Sequence, residues 1–583
     1  MQPNKTQPFL LFDFLTDSSK KHPLLFKDPI AIIETSTDTE VMSALQSVQA
    51  YVDAGYYAAG YLSYEAAPAF ESAFHVHQTY NMPLLWFGIF NKPVEQPVIE
   101  TGNYFIDEWQ PTTSVEEYQT NITKIKNHIE DGGTYQVNYT IRLKSNFYGD
   151  SLGYYQQLKQ AQSANYSAYL NIGSHSILSS SPELFFHLKD GKITTKPMKG
   201  TIRRGRSQKE DAELANWLHH SEKNRAENVM IVDLLRNDLG AIAKPGSVQV
   251  PQLFTIERYP TVLQMTSTVT AMVEDDIDIV PIFQALFPCG SITGAPKINT
   301  TKIIHDVESS SRDVYCGTIG YITPEKEAVF NVPIRTVLID NSTGDATYGV
   351  GGGITWDSNS EDEYEETLTK ALFLQKQEST FELLETIKLS NGTFFLLDYH
   401  LARIQSSAAY FNFTLDINEL TQQLQNIAQT HLNGSYKIRV RVSKNGAILI
   451  ENQIFSQDHS NLITYATLAD SPINNQDIFY YHKTTNRSMY HDFLSKQPQV
   501  SDVLLWNDQR ELTEFTIGNL VVEMKGMFYT PPIECGLLAG TFRQKLLDEG
   551  VIKEKVLHLE ELSQISNIWM INSVRQWVPV QMI

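Results

Sequence analysis

The chain changes pattern near residue 377, and that change limits what it can fold into more than any other feature. An acidic helical stretch from Asp362 to about Gln377 closes there. Phe381-Glu382-Leu383-Leu384-Glu385-Thr386-Ile387 then starts a strand, which the Asn391-Gly392 pair turns back as a hairpin. A single hydrophobic core rarely grows beyond about 250–300 residues. A chain of 583 residues is therefore expected to form two units, 1–377 and 378–583. Within the first, Tyr57–Leu62 and Leu84–Phe90 read as strands. From Ser114, a helix N-cap, Val115, Tyr118, Ile122, Ile125 and Ile129 recur at helical spacing until Gly132-Gly133 stops them. No Pro-, Gly- or Ser-rich tract points to a long linker.

A formal charge of −21 argues against non-specific nucleic-acid binding, which needs a basic face. Anionic substrates then require local cations. Phe9-Leu10-Leu11-Phe12 is interrupted by Asp13 and has no basic lead, so a signal peptide is not expected, and no apolar run is long enough to cross a membrane. The three cysteines, Cys289, Cys316 and Cys535, lie far apart and in no metal-ligand spacing, as suits a reduced cytoplasmic compartment.

Four segments carry chemistry in the first unit. They are Ser180-Ser181-Pro182-Glu183; Lys196-Pro197-Met198-Lys199-Gly200-Thr201; Ala226-Glu227-Asn228 running on to Arg236-Asn237-Asp238; and Gly290-Ser291-Ile292-Thr293-Gly294-Ala295-Pro296-Lys297, leading to Glu363-Tyr364-Glu365-Glu366-Thr367. Together they resemble the chorismate-utilising enzymes over about residues 110–375. The resemblance implies an α+β fold of two facing antiparallel β-sheets with outer helices. Lysine at position 199 is the residue found in the members that form aminodeoxychorismate, whereas anthranilate synthases carry a small residue there. Lys199 would attack carbon 2 of chorismate and Glu183 would protonate the leaving hydroxyl of carbon 4. A nucleophilic lysine must be neutral, and the nearby Lys196, Arg203, Arg204 and Arg206 are expected to lower its pKa.

Magnesium favours hard oxygen ligands, and the resemblance assigns it to Glu227, Glu363 and Glu366. The last two lie three apart on one helical face, with Lys370 four further on. Thr293, Gly294, Tyr315, Arg335, Gly351 and Lys370 fall on family positions for substrate. Asn224 and Gln264 depart from the family pattern, which commonly has an acid and a histidine there. No cysteine sits in a glutaminase setting, so ammonia is expected from a separate glutamine amidotransferase subunit.

In the second unit, His482-Lys483-Thr484-Thr485-Asn486-Arg487, Glu511-Leu512-Thr513-Glu514-Phe515-Thr516-Ile517-Gly518-Asn519 and Leu537-Leu538-Ala539-Gly540-Thr541-Phe542-Arg543 resemble class IV aminotransferases, most closely the lyases acting on aminodeoxychorismate. The resemblance implies a class IV aminotransferase-like fold holding pyridoxal 5′-phosphate. Lys483 would hold the cofactor and move protons, and Glu514 would face its pyridine nitrogen. Arg403, Ile517, Gly518 and Thr541 would bind its phosphate. Thr386 matches an assisting threonine. The chain would then make 4-aminobenzoate and pyruvate, in the service of folate synthesis. The substrate contacts of stand-alone lyases have no counterpart in Lys437–Gly446. Three alternatives stay open: an anthranilate-, isochorismate- or salicylate-forming first unit, a second unit that acts on another amine or only docks, and a homodimer formed through the second unit.

Overall fold

A computed structural model describes residues 7–16, 23–95, 97–162, 164–375, 381–455 and 464–583. The chain divides into two compact units, Met1–Arg204 with Leu214–Glu378, and Gly205–Glu213 with Ser379–Ile583. The boundary expected at residue 377 lies outside the described residues.

The first unit is built on two antiparallel sheets. One runs from Gly294–Ala295 through Gln136–Gly149, Asp345–Ile354, Thr336–Asp340, His175–Ser181 and Tyr166–Asn171 to Phe9–Phe14 and beyond. The other contains Met198–Arg203, Val262–Met272, Lys192–Lys196, Leu184–Lys189, Ala328–Asn331, Thr318–Ile322, Tyr57–Leu62 and Leu85–Phe90. Strands alternate their side chains, so each sheet presents one apolar face to the other. Leu10 and Phe12 from the first pack there with Ala59, Tyr61 and Trp86 from the second. The outer faces are covered by helices Val115–Glu130 and Ser151–Gln162 on one side, and by Asp38–Asp53, Glu222–Gly240 and Ile279–Leu286 on the other. Ser114 caps its helix by accepting from Glu117 N at 3.2 Å.

The acidic helix is shorter than its sequence suggests. It spans Ser360–Thr369, with Lys370 as its C-cap and a single 3-10 turn, Leu372–Leu374, after it. The apolar Phe373 and Leu374 are buried in the core, which draws the chain out of helical register.

A buried ion triad braces the strand Gln136–Gly149. Glu308 accepts from Arg142 Nη2 at 3.2 Å and from Arg312 Nη2 at 2.6 Å, while Arg312 also donates to the carbonyls of Ile292 and Asn138 at 2.8 Å each. Burial opposes ionisation of Glu308, yet the two guanidinium groups hold its carboxyl below the usual range. Removing one partner from a buried ion cluster costs about 3–5 kcal/mol. Glu308→Ala is expected to lose a stability of that order in urea unfolding.

In the second unit, Leu383–Ser390, Thr393–Phe394, Ser435–Val442 and Ile448–Ile454 form an antiparallel sheet backed by helices Leu397–Phe411 and Ile417–Thr430. Asn391 and Gly392 make the expected turn with φ of 49° and 75°. A larger mixed sheet pairs Thr464–Leu468 in parallel with Asp502–Trp506 and Gln576–Met582 and carries Leu512–Phe515 and Gly518–Met524. Among the described residues no helix is long and apolar enough to cross a membrane.

Candidate active sites

In the first unit, Glu183 occupies the break between strands His175–Ser181 and Leu184–Lys189. Its carboxylate accepts from Ser291 Oγ at 2.6 Å. Burial pushes this carboxyl up to about 7, with Ser291 and Lys199 pulling it back. Lys199 stands close by on strand Met198–Arg203, and burial lowers its pKa. Glu227 and Glu183 oppose that shift, and Lys370 adds to it.

The cation beside Lys199 is therefore Lys370. The expected sequence neighbours are turned elsewhere. Lys196 pairs with Glu257, Arg203 donates to Arg204 O at 3.0 Å, Arg204 donates to Tyr259 O at 2.8 Å, and Arg206 pairs with Glu210 at 2.9 Å. Each of these is engaged by a partner of its own, so proximity in sequence is a poor guide here.

The glycine-rich strand Asp345–Ile354 lies directly over these groups. A Cβ on Gly353 would fall 3.0 Å from Lys199 Nζ and 1.8 Å from Gln136 Nε2, and one on Gly352 would fall 3.3 Å from Lys370 Nζ and 3.5 Å from Glu363 Oε2. Any side chain at either position would displace them. Gln136, which no sequence pattern singled out, is 1% exposed, and among the described residues neither atom of its side-chain amide has a hydrogen-bond partner. A buried polar group left in that state costs about 1–3 kcal/mol, which a polar ligand would relieve. Ser291, the donor to Glu183, was likewise missed. It lies within a motif read from sequence but carried no role there.

The substrate positions are only partly assembled. Lys370 Nζ donates to Gly351 O at 3.0 Å and pairs with Glu366 at 2.7 Å. Asn138 N donates to Thr293 O at 2.8 Å, and Gly294 pairs with Val137. Tyr315 packs against Gly349 with Arg142 over its ring at 5.4 Å. Arg335 donates to Gln162 and lies near Tyr348 and Tyr259, and no contact among the described residues joins it to Lys199. Gln264 is committed beside Lys199, accepting from Thr201 Oγ1 and donating to Gly200 O, each at 2.8 Å.

Burial raises the pKa of both Glu227 and Glu363, and the charge of Glu366 adds to each. Carboxylates that repel one another in this way gain from a shared cation. Among the described residues, however, no three acidic, histidine or cysteine side chains are gathered tightly enough to hold a metal alone. Magnesium commonly keeps several waters and takes one or two protein carboxylates plus substrate oxygens. The donors present fit that mode.

In the second unit, Thr386, Arg403, Lys483, Glu514, Ile517, Gly518 and Thr541 all line one cavity of about 620 Å³. Burial lowers Lys483 to about 7, with Arg403 and Arg487 acting in the same sense. Burial pushes Glu514 up to about 7, although Tyr490 Oη donates to it at 2.7 Å. Asn519 Nδ2 donates to the other Glu514 oxygen at 3.0 Å. Arg403 is oriented by Glu385, which accepts from its Nε and Nη2 at 2.7 Å each and contacts His400 Nδ1 at 2.7 Å. Thr541 Oγ1 lies 3.3 Å from His400 Nε2. Glu385 and His400 were not read from the sequence as part of this site. A Cβ on Gly518 would fall 2.6 Å from Met570 Sδ and 2.8 Å from Ile571 O, so the cavity wall there requires glycine. A lysine held near neutrality, a buried carboxylate and a cradle of arginine, threonine and backbone amides suit pyridoxal phosphate.

Residues 91–376 match the family described as chorismate binding enzyme, and residues 382–583 match amino-transferase class IV. Aminodeoxychorismate synthase component 1 of Salmonella typhimurium (strain LT2) is 41% identical over 262 residues, covering 45% of this chain and 57% of that protein. Anthranilate synthase component 1 of Aquifex aeolicus is 36% identical over 268 residues, covering 46% and 54%. The chain thus spans somewhat more than half the length of these curated relatives. Among solved structures, anthranilate synthase component I from Streptococcus pneumoniae TIGR4 shares the fold, with a TM-score of 0.54 and 23% identity over 62% of this chain and 94% of that one.

Proposed function

Since residues 91–376 belong to the chorismate binding enzymes and residues 382–583 to the class IV aminotransferases, we propose that the chain converts chorismate and ammonia to 4-amino-4-deoxychorismate and then to 4-aminobenzoate and pyruvate. The observation that carries this reading is that Lys199 stands close to Glu183. A lysine lowered by burial faces an acid raised to about 7, beside the unpartnered amide of Gln136.

In the first reaction, neutral Lys199 forms a bond to carbon 2 of chorismate. Both conjugated ring double bonds shift by one position, the bond from carbon 4 to oxygen breaks, and Glu183 gives its proton to the departing hydroxyl as water. Ammonia then adds at carbon 4, both double bonds return to their original positions, and Lys199 leaves carbon 2. Glu227, Glu363 and Glu366 would hold magnesium, and the metal would supply charge for a substrate carboxylate. Lys370, Arg335 and the amides near Gly351 bind carboxylate, and Thr293, Gly294 and Tyr315 shape the surrounding wall. The component 1 names of the relatives support a separate glutamine amidotransferase subunit as the ammonia source, and three free cysteines suit the cytoplasm.

In the second reaction, pyridoxal phosphate, when bound, supplies the electron sink that makes the ring proton of the amine acidic. Arg403, Thr541 and the amides of Ile517 and Gly518 would hold its phosphate, and Glu514 would stand against its pyridine nitrogen. Lys483 would hold the cofactor, and its amine would take the ring proton and return a proton to the enolpyruvyl methylene. Thr386 assists in the same cavity. Pyruvate departs as the ring becomes aromatic.

Product chromatography with chorismate, magnesium and ammonium, with and without pyridoxal phosphate, tests the proposal. Aminodeoxychorismate without the cofactor and 4-aminobenzoate with it are expected, whereas anthranilate or salicylate would overturn the role of Lys199. The role of Glu183 has its own signature in pH dependence. A proton donor raised to about 7 is charged and inactive above that pH, so with free NH3 held constant the rate should fall as pH rises through about 7. Glu183→Gln should lose about 10²–10⁴-fold in kcat and lose that basic limb.

A further inference from the structure

The second cavity holds more positive charge than its cofactor can use. Arg403, Lys437, Arg439, Lys483, Arg487 and Arg575 line it, against Glu514 as the one carboxylate among the lining residues described. This stands out in a chain of net charge −21. Arg403 and Lys483 serve the cofactor in the reading above, and Arg487 is spent on Thr516 O at 2.6 Å. Lys437, Arg439 and Arg575 remain. Among the described residues no acid lies within ion-pair distance of any of the three, whereas Arg441, on the same strand, pairs with Glu382 at 3.3 Å.

Their placement is set by the backbone. On strand Ser435–Val442, Ile438, Val440 and Val442 point into the core, so Lys437 and Arg439 point to the opposite face. The antiparallel register sets Arg439 opposite Thr386 and Lys437 opposite Lys388. Arg575 comes from the turn between strands Asn567–Asn572 and Gln576–Met582. Two separate sheets thus bring unpaired cations to the cavity that contains Lys483 and Glu514, with the apolar Ile454 and Phe455 beside them. Arginine and lysine without acids, bordering an apolar wall, are the partners an organic carboxylate needs.

We propose that Lys437, Arg439 and Arg575 form a carboxylate subsite that makes the second site specific for an amine bearing two carboxylates, over an amino acid bearing one. This deepens the second-site reading above and rests on it. All three cations are exposed at the cavity's edge, so discrimination arises because a dicarboxylic amine pairs with more of the cationic set than a monocarboxylic one does.

The test uses the full-length holoenzyme and its Lys437→Gln, Arg439→Gln, Arg575→Gln and triple variants. Each single variant is expected to raise KM for 4-amino-4-deoxychorismate by about tenfold with kcat nearly unchanged, and to leave the cofactor's own affinity as in the parent. Binding of isophthalate and of benzoate is followed in parallel through the absorbance of the bound pyridoxal phosphate, which reports this site alone. The parent should bind isophthalate about tenfold tighter than benzoate, and the triple variant should lose that preference. Variants that turn over the amine with KM within twofold of the parent would overturn the subsite while leaving the lyase reading intact. A parent that fails to turn over the amine, yet prefers isophthalate in a way the triple variant abolishes, would overturn the lyase reading and support the subsite.

Discussion

Lys199→Ala is expected to lower chorismate amination by on the order of 10³-fold or more while leaving the second reaction untouched. Alanine removes the nucleophile without disturbing the core, because Lys199 is only half-buried and its strand is held by pairing to Val262–Met272. Neither Lys196 nor Arg203 can substitute, since their side chains are engaged elsewhere. Intact mass gives an independent readout. Chorismate supplied without ammonia should leave the parent chain heavier by chorismate less one water, and the Lys199→Ala chain unchanged. Near-normal amination by the variant would show that ammonia adds without a covalent stage and that the lysine only neutralises charge.

The second large effect is expected from Lys483→Ala, a loss on the order of 10³-fold or more in release of pyruvate from aminodeoxychorismate. Lys483 is the lysine of this cavity whose amine is lowered by burial to about 7, so at neutral pH a substantial fraction is free to take a proton. The variant should accumulate aminodeoxychorismate at the parental rate, because the substitution lies in the second unit and the proposed residues of the first reaction, Lys199 and Glu183, lie in the first. It should also lose the visible absorbance that the parent acquires with pyridoxal phosphate. Pyruvate release that persists in Lys483→Ala would place the proton transfers on another group.

Much of the architecture was legible from local pattern. The strands Tyr57–Leu62 and Leu85–Phe90, the Ser114 cap and the Asn391-Gly392 turn all follow from residues that act within a few positions of one another. Lys199 with Glu183, and Lys483 with Glu514, were legible because each sits inside a resembling motif. Non-local geometry was not. Gln136 and Lys199 both border Gly353, where any side chain would meet them. Glu385 and His400 meet Arg403 through the packing of helix Leu397–Phe411 on strand Leu383–Ser390, which no single segment encodes. Lys437 and Arg439 look like any solvated alternation until the register sets one of them against Thr386. The cations near Lys199 in sequence misled for the same reason, since each has a partner elsewhere and the neighbour beside Lys199, Lys370, is the C-cap of a helix far along the chain.

The most direct single measurement is isotopic. The purified full-length chain is incubated with chorismate, magnesium, pyridoxal phosphate and 15N-ammonium at alkaline pH, and 4-aminobenzoate and pyruvate are quantified by mass spectrometry. The expected result is 4-aminobenzoate carrying 15N, formed one-to-one with pyruvate. Labelled anthranilate, or pyruvate released without any labelled 4-aminobenzoate, would contradict the assignment of two sequential reactions to this chain.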